Sequence, residues 1–233
     1  MTHPSRIVAI DGPAASGKST TAAAVARALG AVHLDSGALY RALTLVALET
    51  GVSAPEALLR EAGVRRLALE QYPDGIHPVF TGRRVADSRL RSPEVNQEVS
   101  GISALAPVRE WVNQELRRAA GAAQRSDPAV ILVLDGRDIG SIVFPDAPLK
   151  IFLTATPEAR AMRRLLQRGV VPDPARLAEE AAALAERDRL DQARPVAPLR
   201  QAGDAVRLDT TELQFSDQVR LIEELARQRL SPT

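Results

Sequence analysis

The segment that most constrains this chain lies near its beginning, where an apolar run leads into a glycine-rich stretch. Ile7–Ile10 is short and β-branched, which predicts a buried strand, and Thr20–Leu29 is alanine-rich and followed by glycine, which predicts a helix. Residues 12–19 read Gly-Pro-Ala-Ala-Ser-Gly-Lys-Ser and match G-x-x-x-x-G-K-[ST] in full. Such a loop curls so that several backbone N–H groups converge on phosphate oxygens, and the helix after it adds the positive end of its dipole. The sequence therefore predicts an α/β chain that binds phosphate groups.

Three side chains could act on the bound phosphates. Lys18 can bridge the terminal phosphates, and the Ser19 hydroxyl can ligate Mg²⁺. Asp135 follows the apolar run Val130–Leu134, where a carboxylate can orient Mg²⁺ through water or can simply cap the end of a strand. We therefore expect a nucleoside triphosphate with Mg²⁺ held at Ser19 and Asp135. The residues expected to contact the triphosphate are Gly12, Pro13, Ala14, Ala15, Ser16, Gly17, Lys18, Ser19 and Thr20.

Composition and charge exclude several classes of protein. The chain has 28 arginines but only two lysines, Lys18 and Lys150, and its formal net charge is +1, so it lacks the basic excess of a protein that binds a nucleic-acid backbone. The lack of cysteine excludes disulfide scaffolds, thiolate metal sites and cysteine nucleophiles. Neither lysine lies in the N-K-x-D pattern of a guanine-binding GTPase. No apolar run approaches the ~20 residues of a membrane span, so we expect a cytoplasmic protein that binds neither membranes nor nucleic acid.

Apolar runs elsewhere alternate between strand and helix patterns. Short continuous runs predict strands, and apolar side chains at four-residue spacing predict helices. Because continuously apolar strands separated by helices are typical of a parallel sheet covered on both faces, we expect such a sheet. The strands are expected at Val32–Leu34, Val130–Leu134, Leu149–Leu153 and Ala205–Leu208, and the helices at Ala38–Glu49, Ala104–Gln124, Pro157–Gln167, Ala175–Asp191 and Phe215–Leu230.

Two segments depart from this alternation. Residues 64–90 have a period of two, broken by a Pro-Asp-Gly turn and by Gly82, which predicts a small antiparallel β insertion that projects from the α/β core. The apolar side chains that fit its three short strands are Leu67, Leu69, Val79 and Val85. Arg168–Pro174 contains one glycine and two prolines, which predicts a mobile connection between two helices.

Two other segments contain candidate anion-binding residues. Ser36 can act as the N-cap of the helix that carries Arg41. Near the end of the chain, Arg187 and Asp191 are four residues apart and Asp191 and Arg194 are three apart, so all three can share one helix face. Taken alone, that group is also what a solvated helix face with ion pairs would contain.

Four stretches together resemble bacterial cytidylate kinases, over about residues 7–225. They are IDGPAASGKST, LDSGALYR, LDGRDIGSIVFPDAPLKIFL and RDRLDQARPVAPL, and the β insertion matches as well. Adenylate kinases share the glycine-rich loop but lack this insertion. The resemblance implies a P-loop NTPase fold in one domain, with a parallel sheet flanked by helices. Its parts would be a core at 1–35, 92–167 and 176–233, a region that binds the nucleoside monophosphate at 36–91 with the β insertion at about 63–91, and a lid connection at 168–175.

The resemblance implies that the chain transfers the γ-phosphoryl group of ATP to the 5′-phosphate of CMP or dCMP. The residues implied to hold the acceptor phosphate are Ser36, Arg41, Arg137 and Arg194, and those near the ribose are Arg187 and Asp191. Around the cytosine they are Ser100, Arg109 and Asp138, with Tyr40 also expected to contact CMP. The residues expected to act in catalysis are Lys18, Asp135, Arg137, Arg187 and Arg194. A lid arginine is expected among Arg160, Arg163, Arg164 and Arg168.

Two alternatives to a CMP kinase stay open at this point. One is another small-substrate kinase of this architecture, of the UMP/CMP or adenylate type. The other is a non-catalytic sensor that binds ATP, although a sensor needs no second phosphate pocket. We expect a monomer whose partners are the nucleotides alone.

Overall fold

A computed structural model of the chain describes residues 6–194 and 196–230. Its strands are β1 Ile7–Asp11, β2 Val32–Asp35, β3 Leu67–Tyr72, β4 Gly75–Phe80, β5 Arg83–Arg84, β6 Leu132–Gly136, β7 Leu149–Thr154 and β8 Val206–Asp209. Its helices are α1 Lys18–Leu29, α2 Ser36–Thr50, α3 Pro55–Val64, α4 Asp87–Leu90, α5 Pro93–Ala104, α6 Ala106–Ser126, α7 Pro157–Gln167, α8 Pro174–Ala193 and α9 Phe215–Leu230, with a π-helical turn at Ile139–Val143. Among the described residues, those in 6–31 and 131–230 form a first compact unit, and Val32–Val130 forms a second.

The first unit is built on parallel strands in the order β6-β1-β7-β8. Strands β1 and β6 are buried along their whole length, as continuously apolar runs predict. Helices α1 and α9 pack together against this sheet, where Val25 and Ile222 join Val8 and Ile151 in one hydrophobic cluster. The predicted parallel sheet is therefore confirmed.

The carboxyl ends of β1 and β6 bring two acidic residues to one edge of that sheet. Strand β1 ends at Asp11, and β6 carries Asp135 next to its last residue. The two strands are in register, with Ile10 opposite Asp135 and Asp11 opposite Gly136. In sheets of this kind ligands bind at the carboxyl ends of the strands, so this edge is where a nucleotide is expected.

The second unit contains the antiparallel strands that the period of two predicts. Strands β3 and β4 pair from Leu67 opposite Phe80 to Tyr72 opposite Gly75, β5 pairs with the end of β4, and β2 runs parallel to β4. The hairpin is confirmed, but the third strand is Arg83–Arg84, and Val85 follows it as a buried residue.

The long helix predicted over Ala104–Gln124 is confirmed as α6, to within two residues at each end. Its predicted first residue, Ala104, instead ends α5, Leu105 is extended, and α6 begins at Ala106. Pro107 has no N–H to donate to a carbonyl of the preceding turn, so it fits the start of a new helix and not the interior of a long one. Helices α3, α4 and α5 were not predicted, and α4, at Asp87–Leu90, lies within the segment predicted as a β insertion.

The lengths and compositions of the helices were compared with those of a membrane span. Within the described residues, no single helix is long and apolar enough to cross a membrane. Only taken together, across a 96° bend, do α2 and α3 meet the length and composition of a span.

Candidate active site

The glycine-rich loop has a backbone that side chains at two positions would disrupt. A Cβ atom on Gly12 would lie 2.1 Å from the Leu153 carbonyl oxygen, so only glycine fits beside β7. Gly17 has φ 85°, in the left-handed region, immediately before α1 begins at Lys18, and Ala15 also has a positive φ of 56°. The chain thus turns tightly into the positive end of α1, as a phosphate-binding loop requires.

Lys18, Ser19 and Asp135 lie together at this loop. Lys18 is buried and its Nζ donates to the Pro13 carbonyl oxygen at 2.9 Å. The Ser19 hydroxyl donates to Asp135 Oδ2 at 2.5 Å, and Asp135 is 1% exposed. A hydroxyl and a carboxylate oxygen side by side are donors that suit Mg²⁺. Within residues 6–194 and 196–230 no group of three or more acidic or histidine side chains that could hold a metal ion is found.

A buried ion pair between side chains of α7 and α8 binds the backbone of the glycine-rich loop at Ala14. Asp188 of α8 accepts from the Ala14 N–H at 3.1 Å, and Arg160 of α7 donates to the Ala14 carbonyl oxygen at 2.8 Å. The two side chains also pair with each other at 2.6 Å and are 8% and 3% exposed. Both polar groups of the Ala14 backbone are therefore satisfied by this pair, which fixes the loop.

Replacing Asp188 with alanine is expected to lower the free energy of unfolding by about 3 kcal/mol or more, because the Arg160 guanidinium stays buried without its counter-charge. Urea unfolding followed by circular dichroism measures this change. The exposed Asp146 in the same unit provides the matched control, and its change to alanine is expected to alter stability by less than about 0.5 kcal/mol. Equal stability of the two variants would contradict the assigned role.

Arg137, Asp191 and Arg194 form a second, partly buried network beside the loop. Arg137 donates through Nη1 to the Gly12 carbonyl oxygen and through Nε to Asp191 Oδ2, both at 2.9 Å. Arg194 pairs with Asp191 Oδ1 at 2.8 Å. Burial raises the pKa of Asp191, but the Arg137 and Arg194 guanidinium groups outweigh it and hold the pKa below its usual range. Because Asp191 is only 8% exposed, this face of α8 is not a solvated ion-pair face.

Asp11 was not predicted as part of the site. Its carboxylate accepts from the Ile139 N–H at 2.8 Å and from the Gly140 N–H at 2.7 Å, at the start of the π-helical turn. Burial raises the pKa of Asp11 to about 6, although both backbone bonds lower it. At neutral pH this carboxyl is therefore mostly ionised, and it fixes the turn that follows Asp138.

In the second unit, Tyr40 and Arg109 lie together. The Arg109 guanidinium is 5.5 Å from the centre of the Tyr40 ring, within the range of a cation–π contact, and it donates to the Ser103 carbonyl oxygen at 3.0 Å. Arg109 is 2% exposed, which is unusual for an arginine. Ser100 lies one turn before Ser103 on α5, and its backbone carbonyl oxygen accepts from the Ser103 hydroxyl at 3.1 Å.

The start of α2 differs from the prediction in one respect. Asp35, not Ser36, is the N-cap, and it accepts from the Gly37 N–H at 2.8 Å because its carboxylate reaches the first free N–H groups of the helix. Ser36 is the first helical residue and is buried. A Cβ atom on Gly37 would lie 2.6 Å from Arg41 Nη1, so the absence of a side chain there gives room to the guanidinium.

The four lid candidates are bound in different ways. Arg160 belongs to the buried pair at Ala14, and Arg163 donates to Thr210 Oγ1 at 3.0 Å. Arg164 and Arg168 both pair with Glu180 of α8, at 3.0 and 3.1 Å. Which arginine reaches a phosphoryl group stays a prediction, as do the boundaries of the lid.

Two residues of the site, Asp188 and Asp11, were not predicted, because the local pattern around each is only a weak signal. Asp188 lies between two arginines of the RDRLDQAR stretch, and Asp11 is the aspartate directly before the glycine motif. Asp11 lies at the carboxyl end of a buried strand, as Asp135 does, so the same argument that predicts Asp135 at the carboxyl edge of the sheet applies to it.

Comparison with known proteins shows which family the chain belongs to. A family model described as cytidylate kinase matches residues 8–228. A cytidylate kinase of Salinibacter ruber is 44% identical over 214 residues, which cover 91% of this chain and 93% of the relative. One of Streptococcus equi subsp. equi is 41% identical, with 94% and 95% covered. A solved gluconokinase from Sinorhizobium meliloti covers 98% of this chain and 95% of its own, at 17% identity and a TM-score of 0.41. The match of the family model and the identity to its members extend over nearly the whole length, so the chain belongs to the cytidylate kinase family.

Proposed function

We propose that the chain is a nucleoside monophosphate kinase that transfers the γ-phosphoryl group of ATP to CMP or dCMP and releases ADP with CDP or dCDP. Membership of the cytidylate kinase family supports this choice over UMP/CMP-type and adenylate-type kinases. The observation that carries the proposal is the position of Arg137, whose guanidinium bonds the first carbonyl of the glycine-rich loop. A second phosphate beside a triphosphate needs such a cation, because two anions must approach closely.

ATP is proposed to bind with its phosphates on the loop of residues 12–20. The N–H groups of the loop and the start of α1 would cradle the phosphates, and the Lys18 ammonium would bridge the terminal ones. Ser19 and Asp135 would hold Mg²⁺, directly and through water. When bound, Mg²⁺ neutralises charge on the β- and γ-phosphates.

Catalysis is proposed to rest on position and charge, with no general base. The acceptor oxygen of a nucleotide phosphate is already ionised, so no proton has to be removed before it attacks. Arg137, Arg187 and Arg194 would neutralise the two phosphates as they meet. Asp191 supports this role by holding Arg137 and Arg194 in fixed directions, which leaves less motion to be lost in the transition state.

Base recognition is proposed to follow the hydrogen-bonding polarity of cytosine. The 4-amino group of cytosine donates, so the Asp138 carboxylate of the first unit can accept from it. The ring N3 and O2 accept, so Arg109 and Ser100 of the second unit can donate to them. Uracil carries a carbonyl oxygen at C4, which a carboxylate would repel. Ser36, Tyr40 and Arg41 are proposed as further contacts to CMP, and Arg187 and Asp191 as contacts to its ribose.

Changing Asp138 to alanine is expected to lower the preference for CMP over UMP, taken as the ratio of their kcat/KM values, by about tenfold or more. The carboxylate both attracts the amino group of cytosine and repels the oxygen of uracil, so its loss acts on both substrates. The matched control is again Asp146→Ala, which should keep the wild-type ratio. An unchanged ratio in the Asp138 variant would refute the proposed base contact.

The substrate itself is tested by a panel of nucleoside monophosphates. ADP release is coupled to a spectrophotometric assay with ATP, Mg²⁺ and CMP, dCMP, UMP or AMP in turn. CMP and dCMP are expected to give the highest kcat/KM. A clear preference for UMP or AMP would favour the other kinase types, and no turnover with any acceptor would favour the ATP-binding sensor.

We also place the reaction in the cytoplasm and on a single copy of the chain. Light scattering during size-exclusion chromatography tests the oligomeric state, and a stable dimer would contradict it.

A further inference from the structure

Asp11 is a buried carboxylate that the proposed mechanism does not use. It is 5% exposed, at the end of β1, and its two oxygens have separate partners: Oδ1 accepts from Ile139 N–H at 2.8 Å and Oδ2 from Gly140 N–H at 2.7 Å. A carboxylate that accepts one N–H on each oxygen fixes both the position and the direction of the donating backbone. The carboxylate therefore fixes the backbone at the first two residues of the π-helical turn.

Gly12, which follows Asp11, makes a hydrogen bond to the residue that precedes Asp138. The Gly12 carbonyl oxygen accepts from Arg137 Nη1 at 2.9 Å. Residues 11 and 12, which are adjacent, thus bind partners on both sides of Asp138. The Asp138 carbonyl oxygen also accepts from the Ile142 and Val143 N–H groups at 2.9 and 3.1 Å. The backbone is therefore held at the Asp138 carbonyl and at the two residues that follow it, while the bond before it holds the Arg137 side chain. These bonds restrain the Cα position from which the Asp138 side chain extends.

The local structure is one that would not keep this shape unaided. The turn at Ile139–Val143 is π-helical. Such turns are rare, and they are frequently found at functional sites. Burying a carboxylate is also costly unless its oxygens are hydrogen-bonded. An asparagine could replace only one of the two acceptors, since its amide NH₂ would face a backbone N–H. A fully bonded aspartate is therefore the side chain that fits this turn.

We propose that Asp11 is a positioning residue for cytosine specificity, which acts by holding the turn at Ile139 and Gly140 so that Asp138 meets the base amino group. This inference rests on the proposed CMP kinase function. It makes Asp11 a link between the strand that precedes the triphosphate loop and the residue that selects the acceptor base.

The test compares Asp11→Asn with a variant that is destabilised elsewhere. Ile222→Ala, in the fully buried core between α9 and the sheet, lowers stability far from the turn and provides that control. For each, the melting temperature and the kcat/KM values for CMP and UMP are measured. Asp11→Asn is expected to lower the CMP-over-UMP ratio about tenfold, mainly through a higher KM for CMP, while KM for ATP changes little. Ile222→Ala is expected to lower the melting temperature and keep the ratio.

A double-mutant cycle tests whether Asp11 affects the CMP-over-UMP ratio through Asp138 or independently of it. In the Asp138→Ala background, Asp11→Asn is expected to cause no further loss of the ratio. An additive loss, or an unchanged ratio in Asp11→Asn alone, would overturn the inference. If Asp11→Asn does not fold, Asp11→Glu is used instead, because it keeps the charge but is longer by one methylene and so displaces the turn. A wild-type CMP-over-UMP ratio in Asp11→Glu would also overturn the inference. A wild-type enzyme without preference for CMP would instead reject the proposed function, and the inference with it.

Discussion

Alanine in place of Lys18 is expected to lower kcat for CMP phosphorylation by about 10³-fold. The Lys18 ammonium is held in the loop, 2.9 Å from the Pro13 carbonyl oxygen, where charge would develop on the transferring phosphoryl group. The loop N–H groups stay in place in the variant, so ATP should still bind. Because the ammonium stabilises the transition state more than the bound substrate, kcat should fall more than the affinity for ATP.

The chain provides a close control for this substitution in its other lysine. Lys150 is also buried, but its amine pairs with Asp204 and with the Pro145 carbonyl oxygen. Changing Lys150 to alanine should cost stability and keep kcat near the wild-type value. Steady-state kinetics with the coupled ADP assay, read beside the melting temperatures, compares the two. A kcat within about tenfold of wild type for Lys18→Ala would contradict the proposed role.

The parts of the site that depend on local pattern could be predicted from the sequence. The glycine-rich loop is set by its own spacing, and Asp135 by the apolar strand before it. That Ser19 and Asp135 would meet, 116 residues apart, follows from parallel strands whose carboxyl ends share one edge. The β3–β4 hairpin could likewise be predicted, because a period of two and a Pro-Asp-Gly turn are local signals.

The parts that depend on packing over long sequence separations could not. An aspartate such as Asp188, set among arginines on a helix, has the same local pattern whether its face is solvated or buried against the loop. Its bond to Ala14 spans 174 residues, and only the tertiary structure decides it. The π-helical turn depends in the same way on Asp11, a residue more than 120 positions earlier. The break at Leu105 is different, because Pro107 is a local signal for the start of a helix.

Replacing Arg137 with alanine is expected to lower kcat/KM for CMP by about 10²- to 10³-fold. The guanidinium donates from Nη1 to the Gly12 carbonyl oxygen and from Nε to Asp191. Its remaining N–H groups would donate to phosphate. Asp191 keeps its pair with Arg194 in the variant, so the fold should be retained. The loss should therefore appear in the KM for CMP and in kcat, and less in the KM for ATP.

Two further variants separate the fork geometry of Arg137 from its charge. Arg137→Lys keeps the charge, but a lysine cannot reach the Gly12 carbonyl and Asp191 with the spacing of a planar fork, so its activity should lie between wild type and Arg137→Ala. Arg189 is the matched control, since it is an exposed arginine of α8 that pairs with Glu186, and its change to alanine should leave kcat/KM unchanged. Full activity in Arg137→Lys would mean that positive charge alone is sufficient at this position. The hydrogen bonds of Arg137 to Gly12 and to Asp191 would then serve the fold and not the transfer of the phosphoryl group.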